Sequence, residues 1–114
     1  MKKNNIIGKY DGIADLAVGE NPIVNRKVND AIACDTSVSG LKLYLPANPI
    51  SGALFRAFDY KGNAQENPVE LYPEISSHSI NGGAAGDTVM LDVNNFDLTF
   101  VYNNDTANWQ IVGS

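Results

Sequence analysis

From Ala31 onward the chain alternates apolar and polar positions over short runs, and a turn signal follows each run. Leu41, Leu43 and Leu45 alternate with Lys42 and Tyr44. One face of that extended segment is therefore apolar and the other polar. The same period of two recurs at Val89, Leu91 and Val93, then at Leu98, Phe100 and Tyr102, and finally at Trp109 and Ile111. Ala31-Ile32-Ala33-Cys34 and Ala53-Leu54-Phe55-Arg56-Ala57-Phe58 are apolar runs of strand length that stop at Asp35 and Asp59. Pro68 and Pro73 bracket Val69-Glu70-Leu71-Tyr72. Because proline donates nothing to a ladder, that strand is expected at a sheet edge. Asn94-Asn95 and Asn103-Asn104-Asp105-Thr106 have the chemistry of hairpin turns. Helical periodicity is nearly absent. The pattern predicts an all-β fold, an antiparallel β-sandwich or jelly-roll-like barrel of about seven to eight short strands.

Residues 1–28 read differently. Gly8, Gly12 and Gly19 punctuate them and Asn21-Pro22 ends them with a turn signal. Ile6, Ile7, Tyr10, Ile13, Leu16 and Val18 are nevertheless too apolar for a solvated tail. The expectation is an extended N-terminal arm over 1–28 that lies against something, followed by the β domain over 29–114. The arm either docks on another surface or adds an edge strand to its own domain.

Asparagine occupies fourteen positions, mostly where turns are needed, and it tolerates the left-handed backbone that tight turns require. The net charge is −5, unevenly spread. Six basic side chains (Lys2, Lys3, Lys9, Arg26, Lys27, Lys42) precede Leu43, and only Arg56 and Lys61 follow it, against eight carboxylates. Such a chain lacks the clustered cations that bind phosphates, so no nucleic-acid partner is expected. No window approaches the ~18 apolar residues of a membrane-crossing helix, and Met1-Lys2-Lys3 opens no secretory apolar region. Synthesis in a reducing cytoplasm and no membrane partner are the expectations.

Candidate chemistry is sparse. Cys34 is the only cysteine, which excludes an intrachain disulfide and reads as a small buried apolar residue. His78 is the only histidine, set in Ser76-Ser77-His78-Ser79 without a nucleophile-elbow signature, and reads as an exposed loop residue. The oxygens of Asp92, Asn94, Asn95 and Asp97, and of Asn103, Asn104, Asp105 and Asn108, lack calcium-loop spacing and read as turn formers. Gly82-Gly83-Ala84-Ala85-Gly86 has no lysine and no following helix for a phosphate. Phe100, Tyr102 and Trp109 read as core rather than as a sugar platform. No enzyme activity, metal or cofactor is expected.

One further signal is the order of these elements. Ala33-Cys34-Asp35-Thr36-Ser37, Leu41-Lys42-Leu43-Tyr44-Leu45-Pro46, Phe55-Arg56-Ala57-Phe58-Asp59, Gly62-Asn63-Ala64, Asn67-Pro68-Val69, Ile80-Asn81-Gly82, Leu98 to Tyr102 and Asn108 to Gly113 follow one another. That succession resembles a β-structured module of bacteriophage virion proteins, found in tail fibres, head fibres and capsid decoration proteins. The resemblance implies a homotrimer without catalytic residues. Leu43, Leu45, Phe55, Phe58, Leu91, Phe100, Trp109 and Ile111 are the expected core and trimer-packing residues. The short front end suits a capsid decoration (cement) protein on the outer capsid surface, its arm bound to the major capsid protein and its acidic part outward. Deleting residues 1–20 is then expected to leave a folded trimer that no longer binds capsids. A tail-fibre or receptor-binding tip contacting host glycans is the alternative.

Overall fold

The computed structural model describes residues 14–16, 20–24 and 26–113. Nine strands and no helix occur among them: β1 (Ala14–Leu16), β2 (Ala31–Cys34), β3 (Leu41–Tyr44), β4 (Leu54–Asp59), β5 (Val69–Tyr72), β6 (Ser79–Ile80), β7 (Val89–Leu91), β8 (Asp97–Asn103) and β9 (Asn108–Gly113). They form a six-stranded sheet in the order β1-β2-β4-β8-β9-β6 and a three-stranded sheet in the order β3-β5-β7. From β2 to β8 the chain changes sheet at every step.

That alternation overturns the antiparallel expectation. A strand that returns to its sheet by way of the other one can run parallel to its predecessor, because the intervening strand acts as the crossover. So β2 pairs parallel with β4 and β3 with β5; β1 with β2 and β6 with β9 are parallel as well. Antiparallel pairs remain at β4–β8, β5–β7 and the β8–β9 hairpin. Both sheets are therefore mixed.

The edge position expected for Val69–Tyr72 is also corrected, since β5 is the central strand of its sheet. The flanking prolines lack only their own N–H groups and lie outside the paired residues. The Pro68 carbonyl accepts from Leu41 N at 3.0 Å, and the Tyr72 carbonyl accepts from Leu45 N at 2.9 Å. Nothing the ladder requires is missing.

Both sheets contribute to one apolar core. Ile32, Phe55, Phe100 and Trp109 come from the larger sheet, and Leu43, Leu71 and Leu91 from the smaller. The Trp109 ring meets Tyr102 at 5.2 Å between centroids and Phe55 edge-on at 6.4 Å. Leu45 belongs to this core, and Ile111 packs partly buried against it. Phe58 does not. It lies three residues from Phe55 and so faces the opposite side of β4, in a separate cluster with Ala31 and Ala33. The Arg56 guanidinium lies 5.4 Å from the Phe58 ring centroid and is held by two 2.9 Å bonds to Asp97. Val93, expected on the apolar face, is 67% exposed because β7 ends at Leu91.

Part of the segment ahead of residue 29 packs on the β domain. Ile23 is fully buried in the core. Its N–H donates to the Lys42 carbonyl at 2.7 Å, and its carbonyl accepts from Tyr44 N at 2.9 Å. Asn21 adds a bond in each direction, Oδ1 accepting from Lys42 N at 3.0 Å and Nδ2 donating to the Gly40 carbonyl at 3.1 Å. The outer edge of β3 is thus closed by the chain's own front segment, which removes a template for unwanted pairing.

Candidate functional site

Asp59, His78 and Cys34, three groups capable of chemistry, are buried in the body. Asp59, at the end of β4, is buried and accepts four hydrogen bonds. The donors are Thr36 Oγ1 at 2.6 Å, Gly62 N at 2.9 Å, Ala64 N at 3.0 Å and Asn95 N at 2.9 Å. Desolvation by itself pushes this carboxyl up, but bonds from Thr36, Asn95, Ala64 and Gly62 outweigh it and hold the acid below its ordinary value. Thr36 Oγ1 also accepts from Asn63 N at 3.0 Å, and the Thr36 carbonyl accepts from Asn67 Nδ2 at 2.8 Å. One carboxylate thereby ties together the loops after β2, β4 and β7. Gly62 has φ +79° and stands where a Cβ would lie 3.0 Å from Asn95 Oδ1, so a side chain there would be strained and crowded. This hub was legible only as a turn, Asp59 to Asn63. The usable signal was an aspartate three residues ahead of a glycine.

His78 is buried, not exposed as its polar neighbours suggested. Its Nε2 lies 3.3 Å from Tyr102 Oη, and its Nδ1 has no partner among the described residues. Burial pushes the imidazole down from its ordinary value. The reason is topological: β6 pairs with β9, which draws the serine-rich segment over the hairpin that carries Tyr102. Cys34 is fully buried, and burial first, then the Asp59 charge, push its thiol up to about 12. Phe100, Tyr102 and Trp109 are buried and offer no ring face to a ligand. Among the described residues no group of three His, Cys, Asp or Glu side chains is placed to hold a metal ion.

What the body presents outward is the other face of the three-stranded sheet. Tyr44 and Tyr72 are register partners whose rings stack at 4.7 Å. Lys42 Nζ lies 5.8 Å from the Tyr72 centroid. Tyr72 Oη donates to Glu70 Oε1 at 2.7 Å, which raises the phenol above its ordinary value, and Thr88 Oγ1 lies 3.3 Å from Glu70 Oε2. Met90, beside Glu70 in register, is 51% exposed. Reading Tyr44 and Lys42 as the wet face of β3 pointed here. Their partners on β5 and β7 could not be read from sequence.

Of the predicted arm residues, Leu16 lies in β1, which pairs parallel with β2 at the end of the six-stranded sheet. Ile6, Ile7, Tyr10, Ile13 and Val18 lie outside the described residues. The sequence matches no protein-family model and no curated protein.

Proposed function

We propose that this chain is a bacteriophage virion structural protein, a capsid decoration protein that binds the assembled shell as a homotrimer and stabilises it. The two mixed sheets around one core are read here as a β-sandwich. The single observation that carries the role is β1. Residues 14–16 add an edge strand to the chain's own six-stranded sheet, which anchors the front of the chain at a sheet end and leaves residues 1–13 as the docking segment of this proposal. The segment ahead of β1 then has a fixed point from which to reach a neighbouring capsid subunit. Asp59, Cys34 and His78 lie buried in the body, as suits a protein that acts by adhering. Three linked arms raise the effective affinity by about 10²–10⁴ over one. A protein that binds only assembled shell shifts the equilibrium toward it.

The test has two arms. Quantitative mass spectrometry of particles purified from cells that make this chain should find it in hundreds of copies, comparable with the shell protein; absence from the particles overturns the reading. Deleting residues 1–13, which spares β1, should leave a folded trimer that no longer sediments with shells. The outward Tyr44–Tyr72 face with Lys42 and Glu70 favours a second reading, a tail-fibre or receptor-binding tip that contacts glycans. A few copies per particle would select it.

A further inference from the structure

Asn81-Gly82 is the only Asn–Gly pair in the chain, and both residues are exposed. Spontaneous loss of a side-chain amide begins when the next residue's backbone nitrogen attacks the asparagine Cγ. A following glycine hinders that attack least, and an added Cβ at Gly82 would meet nothing within 4 Å. The structure nonetheless holds both reacting groups. Asn81 (φ +51°) and Gly82 (φ +79°) form a tight turn closed by Gly83 N donating to the Ile80 carbonyl at 3.0 Å, the geometry of a type I′ turn. Asn81 N donates to the Trp109 carbonyl at 2.7 Å. The attacking nitrogen, Gly82 N, donates to Asn108 Oδ1 at 2.9 Å, and the Asn81 side-chain oxygen accepts from Gln110 Nε2 at 2.6 Å. Asn108 is itself buried and fixed by Ser79 Oγ at 2.8 Å.

We propose that Asn81 is a latent deamidation site of this protein, held intact in the folded state by Asn108 and Gln110. In the reaction Gly82 N gives its proton to solvent and bonds to Asn81 Cγ. The Cγ–Nδ2 bond breaks, and the amide nitrogen leaves as ammonia. Water then opens the cyclic imide at either carbonyl, leaving aspartate or isoaspartate at position 81. No oxidant or cofactor takes part. The isoaspartyl product lengthens the main chain by one methylene inside the turn. The Ile80–Gly83 and Gly82–Asn108 bonds cannot both survive that, so the β6–β9 pairing beside Trp109 loosens. The site would thus record the time the chain spends with this turn unlocked, whatever larger assembly it joins.

The test is peptide mapping by mass spectrometry after incubation of the full chain at mildly alkaline pH, with isoaspartate read by enzymatic methylation. The +1 Da product should map to Asn81 and form slowly in the native protein. It should form much faster in the same chain unfolded in urea. Asn108→Ala should speed the native reaction about tenfold, which equals about 1.4 kcal/mol. Gln110→Ala changes an exposed residue, so it reports on the same lock even where Asn108→Ala fails to fold, and it too should accelerate the reaction. Asn81→Gln should abolish the product. Equal rates in the native and urea-unfolded chains, native rates unmoved by both lock variants, or deamidation of the urea-unfolded chain mapping chiefly elsewhere would each overturn the proposal.

Discussion

Replacing Asp59 by alanine removes the acceptor of four hydrogen bonds at once. Two of those bonds, from Thr36 and Ala64, are buried, and two, from Gly62 and Asn95, are partly buried. A buried donor left without a partner costs about 1–3 kcal/mol. The two buried donors therefore cost about 2–6 kcal/mol together, while water can reach the other two at lower cost. Allowing for relaxation, Asp59→Ala should destabilise by about 3–5 kcal/mol, at the upper end of single substitutions. Asp59→Asn keeps one acceptor oxygen and should cost about 1–3 kcal/mol. Urea unfolding followed by Trp109 fluorescence measures both. With a slope of about 1–3 kcal/mol per molar urea, the alanine midpoint should fall by at least about 1 M at unchanged slope. The pH dependence is an internal check. The folded carboxyl titrates below its ordinary 3.8, so its stabilisation is complete above that value and is lost as pH falls through the folded one. The gap between wild type and Asp59→Ala should narrow below pH 3.8. A loss under about 1 kcal/mol at neutral pH, or a gap that does not narrow in acid, would refute the hub.

The remaining expectations follow from single residues. Cys34, buried with its thiol pushed up to about 12, should react with a thiol reagent only as fast as the protein opens, and promptly in urea. His78 sits below its ordinary 6.5, so its imidazole should cost no stability above pH 6.5. As pH falls through that value toward the folded one, the unfolded chain takes the proton first and the melting temperature should drop. In His78→Gln that drop should be absent. Trp109→Ala should cost about 3–5 kcal/mol, read by circular dichroism through a urea series. Ala107 has φ +51°, where a Cβ is strained, so Ala107→Gly should stabilise by about 0.5–1 kcal/mol in the same assay.

Which residues form strands was legible because a period of two is written locally. Each leucine of Leu41, Leu43 and Leu45 needs only its own neighbours to select a face. The asparagines at turns were equally local, and Asn29, Asn81 and Asn95 all take positive φ. The Phe55/Phe58 difference was also within reach, since a spacing of three cannot keep two side chains on one face of a strand. What the sequence could not decide was partnership between distant segments. Parallel pairing of β2 with β4 and of β3 with β5 depends on the chain changing sheet between them, and no local pattern records that. The same holds for His78, whose neighbours are polar in sequence but whose cover comes from Tyr102, 24 residues away. Asp59 likewise collects donors from segments up to 36 residues distant. Periodicity thus chose the faces, since the pleat is a property of each strand alone. Order, direction and the polar hub were chosen only by packing those faces against one another, since a buried donor or carboxylate is satisfied by whatever segment the topology brings within 3 Å.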